Sequence, residues 1–109
     1  MPNQKKKKIL IVEDEKPMAR ALELKLDHSG FETGVASDGE QGLAAIRKNG
    51  IDLILLDLVM PKLDGFAVLA ELKQKGNKTL VIVLSNLSQE DDEKRAKALG
   101  AREFYIKSN

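Results

Sequence analysis

Four runs of apolar residues in this chain end in side chains that can do chemistry. Ile9–Val12 (ILIV) runs into Glu13-Asp14, and Ile51–Leu56 runs into Asp57. Leu80–Leu84 (LVIVL) runs into Ser85, and the shorter Glu103–Ile106 runs into Lys107. Three carboxylates brought together repel one another and raise one another's pKa values. A hard divalent cation relieves that repulsion, and Mg²⁺ typically takes one or two carboxylates, waters and a phosphate oxygen. A lysine supplies a point charge and a serine a hydroxyl, both suited to phosphate oxygens. The set therefore predicts a phosphoryl group beside a metal, with one carboxylate available as nucleophile.

That chemistry requires the run ends to meet, and the elements between them say how. The runs at 9–12, 51–56 and 80–84 are nearly unbroken apolar stretches, as expected of strands buried on both faces of a parallel sheet. Phe31–Ala36 reads as a weaker strand, interrupted by Gly34 and so placed at an edge. Helices fill the gaps. Pro17 opens the first, which repeats Met18, Ala21, Leu22 and Leu26 up to Ser29-Gly30, with His28 at its end. Asp38 with Gln41 forms a capping-box pattern before Leu43 and Ile46. Pro61 and Asp64-Gly65 mark a turn and a helix start, with Val68, Leu69 and Leu72 following up to Gly76. Ser88 and Asp91 make a second capping pattern, with acids at 90–93 and Lys94, Arg95 and Lys97 toward the other end. Strands alternating with helices predict right-handed crossovers and a parallel sheet with helices on both faces. Strands in such a sheet end on one side, so Glu13, Asp14, Asp57, Ser85 and Lys107 converge on one rim.

With 109 residues, residues 1–109 form one domain, preceded at 1–7 by a flexible basic stretch. Four lysines, Lys5–Lys8, read as a solvated terminus, and a net charge of +1 gives no reason to expect nucleic acid. No apolar run reaches membrane-spanning length and no signal-peptide pattern is present, so no membrane partner is expected. The absence of cysteine excludes disulfides and thiolate metal sites and leaves a reducing, cytoplasmic setting as the default. No glycine-rich dinucleotide or P-loop pattern occurs. Ser85 lacks a nucleophile-elbow sequence, and His28, the only histidine, has no second metal ligand near it. Asp52 and Asp64 read as strand-start and helix-start acids, and Met18 and Met60 as packing.

From IVEDE, LLDLVMP-x-x-DG, VLSN and FYIK, between about Lys8 and Lys107, the chain resembles a receiver domain of a two-component response regulator, the family of the chemotaxis regulator. The resemblance implies a flavodoxin-like, three-layer doubly wound α/β sheet of strand order 2-1-3-4-5. It implies that Asp57 accepts a phosphoryl group from a histidine kinase or phosphotransfer protein. Asp14 and Asp57 would ligate Mg²⁺ directly, Glu13 through water, and Val59 through its backbone carbonyl. Lys107 would hold one phosphoryl oxygen, Ser85 would turn to bond another, and Phe104 would be the aromatic switch, with Tyr105 facing the other side of the sheet. The output would be an altered surface read by a downstream protein, without turnover of an external substrate. Three positions depart from the family pattern: Ser108 stands where Pro is usual after the lysine, Asn86 where a small residue follows the hydroxyl, and Phe104 has no hydroxyl.

Two other readings set the alternatives. An aspartate-nucleophile phosphatase generally needs an acid two residues after the nucleophile, where this chain has Val59. A receiver-like interaction domain independent of phosphorylation would rest on Ser108 and Asn86. The family also ends in a fifth helix, which with the first covers one sheet face, whereas Asn109 stands two residues past Lys107. Val81, Val83 and Ile106 are therefore expected to lose their cover. Two copies are expected to associate through that face as a homodimer, or to exchange an element; the alternative is a strained monomer with a shifted last strand.

Overall fold

The apolar runs around Ile11 and Ile54 lie side by side in the middle of a parallel sheet. The computed structural model describes residues 6–48, 50–86 and 90–107. Strands β1 (Lys8–Val12), β2 (Glu32–Ala36), β3 (Leu53–Leu56), β4 (Leu80–Ser85) and β5 (Glu103–Ile106) alternate with helices α1 (Lys16–His28), α2 (Gly39–Arg47), α3 (Gly65–Gln74) and α4 (Glu90–Ala98). The sheet order is β2-β1-β3-β4-β5, and every pairing is parallel. This is the flavodoxin-like order with four helices among the described residues, and β2 is indeed an edge strand.

The two sheet faces are covered unequally. On one, Leu10, Val12, Ile54, Leu56, Val81 and Val83 pack against Leu43 and Ile46 of α2, Val68, Leu69 and Leu72 of α3, and Ala96 of α4. On the other, Ile9 and Ile11 pack with Ala19 of α1, flanked by Leu22, Leu26, Leu53 and Leu55. The expectation for Val81 and Val83 is corrected here: both are buried on the three-helix side. Their neighbours Leu80, Ile82 and Leu84 point the opposite way, and Leu80 is 48% exposed. Side chains alternate along a strand, so a parity error of one residue exchanges the faces. Tyr105, in register with Leu84, joins this thinly covered strip at 54% exposure. Ile106 is equally exposed, but it shares the parity of Ser85 and lies at the end of an edge strand.

Local signals hold with two adjustments. Ala19 faces the core while Ala21 is exposed, because α1 turns its Ala19–Leu22–Leu26 stripe to the sheet. Asp38 accepts the Gln41 backbone N–H at 2.8 Å, but Gln41 returns its side-chain oxygen to Ser37, one residue earlier than a capping box requires. Asp64 caps α3 through the Ala67 N–H at 2.9 Å, and Asp52 accepts the Lys8 N–H at 2.8 Å, tying β3 to β1. The Ser88 cap and Ser108 lie outside the described residues.

Candidate functional site

Three of the site residues are placed by hydrogen bonds that extend the sheet one step beyond a strand end. The Asp57 N–H donates to Val12 O at 3.0 Å, the Glu13 N–H to Ala36 O at 3.0 Å, and the Lys107 N–H to Ser85 O at 2.7 Å. The ladder therefore fixes the backbone of all three before any side-chain contact is made. Buried strands below make this rim rigid.

The loop after Asp57 is held just as closely. The Gly65 N–H donates to Leu58 O at 3.0 Å, bringing α3 back against the end of β3. Lys62 takes a left-handed backbone with φ 67°, and its ammonium lies 3.7 Å from the Asp38 carboxylate at the start of α2. A Cβ on Gly39 would run into Leu63 O, so α2 and this loop interlock. The Val59 N–H, in turn, donates to Asp57 Oδ1 at 3.3 Å.

Glu13, Asp14 and Asp57 each present a carboxylate oxygen within 4.8 Å of the others. Glu13 and Asp57 are buried and Asp14 is partly buried. The Lys107 ammonium enters among them with its side chain 5% exposed: 2.6 Å from Glu13 Oε1 and 3.4 Å from Asp57 Oδ2. It also reaches Glu15 Oε1 at 3.2 Å. Ser85 is fully buried at the end of β4. Phe104 is half-buried against the three-helix core, in register with Val83, while Tyr105 faces the opposite side as predicted. Asn86 is exposed. Val59 is 56% exposed and apolar, so the position two residues after Asp57 brings no proton donor.

Glu15 is the residue that sequence reasoning missed. It stands in the N-cap position of α1, and its side chain spans from that helix to Lys107. The acidic run Glu13-Asp14-Glu15 was its only signal, and the run does not say which acid turns inward.

The Asp57 pKa is raised to about 6: burial is the largest cause and the Glu13 charge adds to it, while Lys107 and the Val59 N–H work against both. Burial disfavours the Lys107 ammonium, but its hydrogen bond to Glu13 and the Asp57 and Glu13 charges outweigh it and hold the pKa above the ordinary lysine value. One ammonium among four carboxylates leaves an excess of negative charge on hard oxygen donors. That donor set fits a hard divalent cation such as Mg²⁺.

Two predictions arise from this charge balance. A cation bound by the folded state stabilises it by linkage. Millimolar Mg²⁺ is therefore expected to raise the melting midpoint more than a monovalent salt of matched ionic strength. Equal rises would count against a cation site. The second concerns pH in EDTA. The Asp57 pKa of about 6 lies above its value in an unfolded chain, so this group stabilises the fold at low pH. The contribution is lost as pH climbs from about 4 through 6, a change on the order of 2–3 kcal/mol. Urea unfolding should show Asp57→Asn gaining on the parent over that window. A parent–variant difference that stays flat with pH would refute the assignment.

Comparison with known proteins agrees with this arrangement. The family model described as the response regulator receiver domain matches residues 9–109. A probable transcriptional regulator, ycf27, of Porphyridium aerugineum is 37% identical over 102 residues, covering 94% of this chain and 42% of that protein. The uncharacterized transcriptional regulatory protein YkoG of Bacillus subtilis is 36% identical over 99 residues, covering 91% of this chain and 43% of that protein. The chain thus spans less than half the length of these relatives. The Francisella response regulator 1452 receiver domain superposes with a TM-score of 0.89 at 33% identity, covering 93% of this chain and 84% of that one. TrrA of Thermotoga maritima, solved in complex with Mg²⁺-BeF, superposes with a TM-score of 0.84 at 31% identity, covering 94% of this chain and 87% of that one. With a family match across nearly its whole length and the acids, hydroxyl and lysine gathered on one rim, the chain belongs to the response regulator receiver domains.

Proposed function

We propose that this domain is a phosphorylation switch in which Asp57 accepts a phosphoryl group from a phosphohistidine on a histidine kinase or phosphotransfer protein. The observation that carries it is Asp57 itself: buried, at the end of a central strand, with an ammonium at 3.4 Å and two further acids within reach of one cation. A carboxylate oxygen of Asp57 attacks phosphorus, the P–O bond forms as the P–N bond breaks, and the electron pair leaves with the histidine nitrogen. Asp14, Asp57 and the Val59 carbonyl would hold Mg²⁺, with Glu13 acting through water. The ion, when bound, supplies charge neutralisation at the phosphoryl oxygens. Lys107 is already at the Asp57 carboxylate and would pair with one phosphoryl oxygen; Ser85 would bond another.

The output is a changed surface with Phe104 as its aromatic switch, read by a downstream protein, and the setting is cytoplasmic. An external substrate is not turned over, and the apolar Val59 supports that reading. Incubation with radiolabelled acetyl phosphate and Mg²⁺ tests the proposal: one acid-stable, base-labile phosphate per chain is expected, and none in EDTA.

The homodimer also stands as a proposal, with its surface revised. Leu80 and Tyr105, each about half exposed, would meet a second copy in place of Val81 and Val83. Burying such a strip contributes about 25 cal/mol per Å². Sedimentation equilibrium at micromolar concentration should show a concentration-dependent dimer that Tyr105→Lys dissociates. A clean monomer with a cooperative melt would exclude it.

A further inference from the structure

At the opposite end of the sheet from Asp57, the α3–β4 and α4–β5 connections enclose a cleft of about 460 Å³. That volume lies within the ~300–1,000 Å³ typical of small-molecule sites. Its inner wall is apolar, with Leu72, Val81 and Ala101 nearly buried. Lys73, Lys78, Lys97 and Arg102 line it as well, and among the described residues no Asp or Glu does.

Part of this positive charge has a structural use. Lys73 and Lys97 lie in the last turns of α3 and α4, where cations offset the helix dipole. Lys73 Nζ donates to Ala98 O at 2.8 Å, and Lys97 pairs with Glu93 at 3.2 Å. Lys78 and Arg102 are different. They belong to loops, and among the described residues neither side chain has a hydrogen-bond or ion-pair partner. The two helix ends bring about half a negative charge each. Two uncommitted full charges outweigh that, and Lys73, bonded only to a neutral carbonyl, adds to the excess.

A concave site with an apolar wall and uncommitted cations at its edge selects an anion that carries a flat apolar group. A bare polyanion would leave the wall unused, and a flat apolar molecule would leave the cations unpaired. We propose that this cleft binds a small phosphate-bearing ligand of mononucleotide type, its ring on the apolar side beside the partly buried Leu99 and its phosphate between Lys78 and Arg102. An arginine fork and a lysine point charge are complementary phosphate partners. The site is separate from the phosphoacceptor rim and independent of it.

Calorimetric titration of the chain with AMP, in EDTA and low salt, tests this, with amide chemical shifts locating the ligand. Saturable binding is expected, with shifts concentrated at Gly76–Val81 and Leu99–Arg102. Charge-assisted contacts of this kind make a loss of at least about tenfold in affinity the expected effect of Lys78→Ala with Arg102→Ala. Lys78→Arg with Arg102→Lys should retain most of the binding, and both side chains are exposed, so the melting midpoint should not move. Absence of binding, shifts at the Asp57 rim instead, or an unaffected alanine variant would each overturn the proposal. So would pyrophosphate binding as tightly as AMP, which would mean a bare anion patch, or duplex DNA binding more tightly than either, which would mean a nucleic-acid surface.

Discussion

Asp57→Asn is expected to incorporate no phosphate from acetyl phosphate under conditions where the parent chain takes up one. The effect should be a complete loss of label, because an amide lacks the nucleophilic carboxylate oxygen while keeping the size of Asp57. Asparagine can still accept from the Val59 N–H, which the parent carboxylate meets at 3.3 Å, so the loop has no reason to move. The asparagine variant should also fold at least as well as the parent without metal, since a buried charge is removed. Label that persists at full stoichiometry would place the nucleophile elsewhere. A parent chain that takes no label at all would leave a receiver fold that acts without phosphorylation.

Gly65→Ala is expected to be strongly destabilising. Helix α3 begins at this residue, packed so closely on the end of β3 that a Cβ would run into Asp57 O and lie 2.7 Å from Leu58 Cα. Both are backbone atoms of a buried strand end, so neither can swing aside. The helix must shift instead, breaking the Gly65 N–H bond to Leu58 O and loosening the Val59 loop. Overpacking of this kind costs about 3 kcal/mol or more, at the upper end of the usual range. For a domain this size that lowers the melting midpoint by on the order of 15 °C. Gly34→Ala is the control: its Cβ would find ordinary contacts at 3.8 Å or more, and the effect should be small. A loss below about 1 kcal/mol for Gly65→Ala would show that the loop is softer than its contacts imply.

Much of this architecture was legible because the strand runs are apolar and end abruptly. The step from Leu56 to Asp57, or from Leu84 to Ser85, marks both the end of a buried strand and a chemical group on the rim. The same uniformity hides parity. LVIVL has no polar residue to show which side faces water, so Val81 and Leu80 could not be sorted by pattern. Alanine carries a similarly weak signal, which is why Ala21 rather than Ala19 was assigned to the core of α1. Glu15 and the basic cleft were illegible for another reason. Both depend on segments far apart in sequence, α1 against the end of β5 and the α3–β4 loop against the α4–β5 loop. No local pattern encodes such meetings.

The position of β5 at the sheet edge has a consequence for how the site comes apart. Amides in β1 and β3, flanked by strands on both sides, should exchange with solvent only on global unfolding, whereas β5 has one strand neighbour and three exposed residues in four. A partial opening that detaches β5 would withdraw Lys107 while Glu13 and Asp57 stay in register on β1 and β3. The site would then lose its resident cation before it loses its acids. Deuterium uptake at Phe104–Lys107 ahead of Val12–Asp14 and Leu56–Asp57 would mark that order, and an ion or phosphoryl group bridging Asp57 to Lys107 would slow the earlier phase.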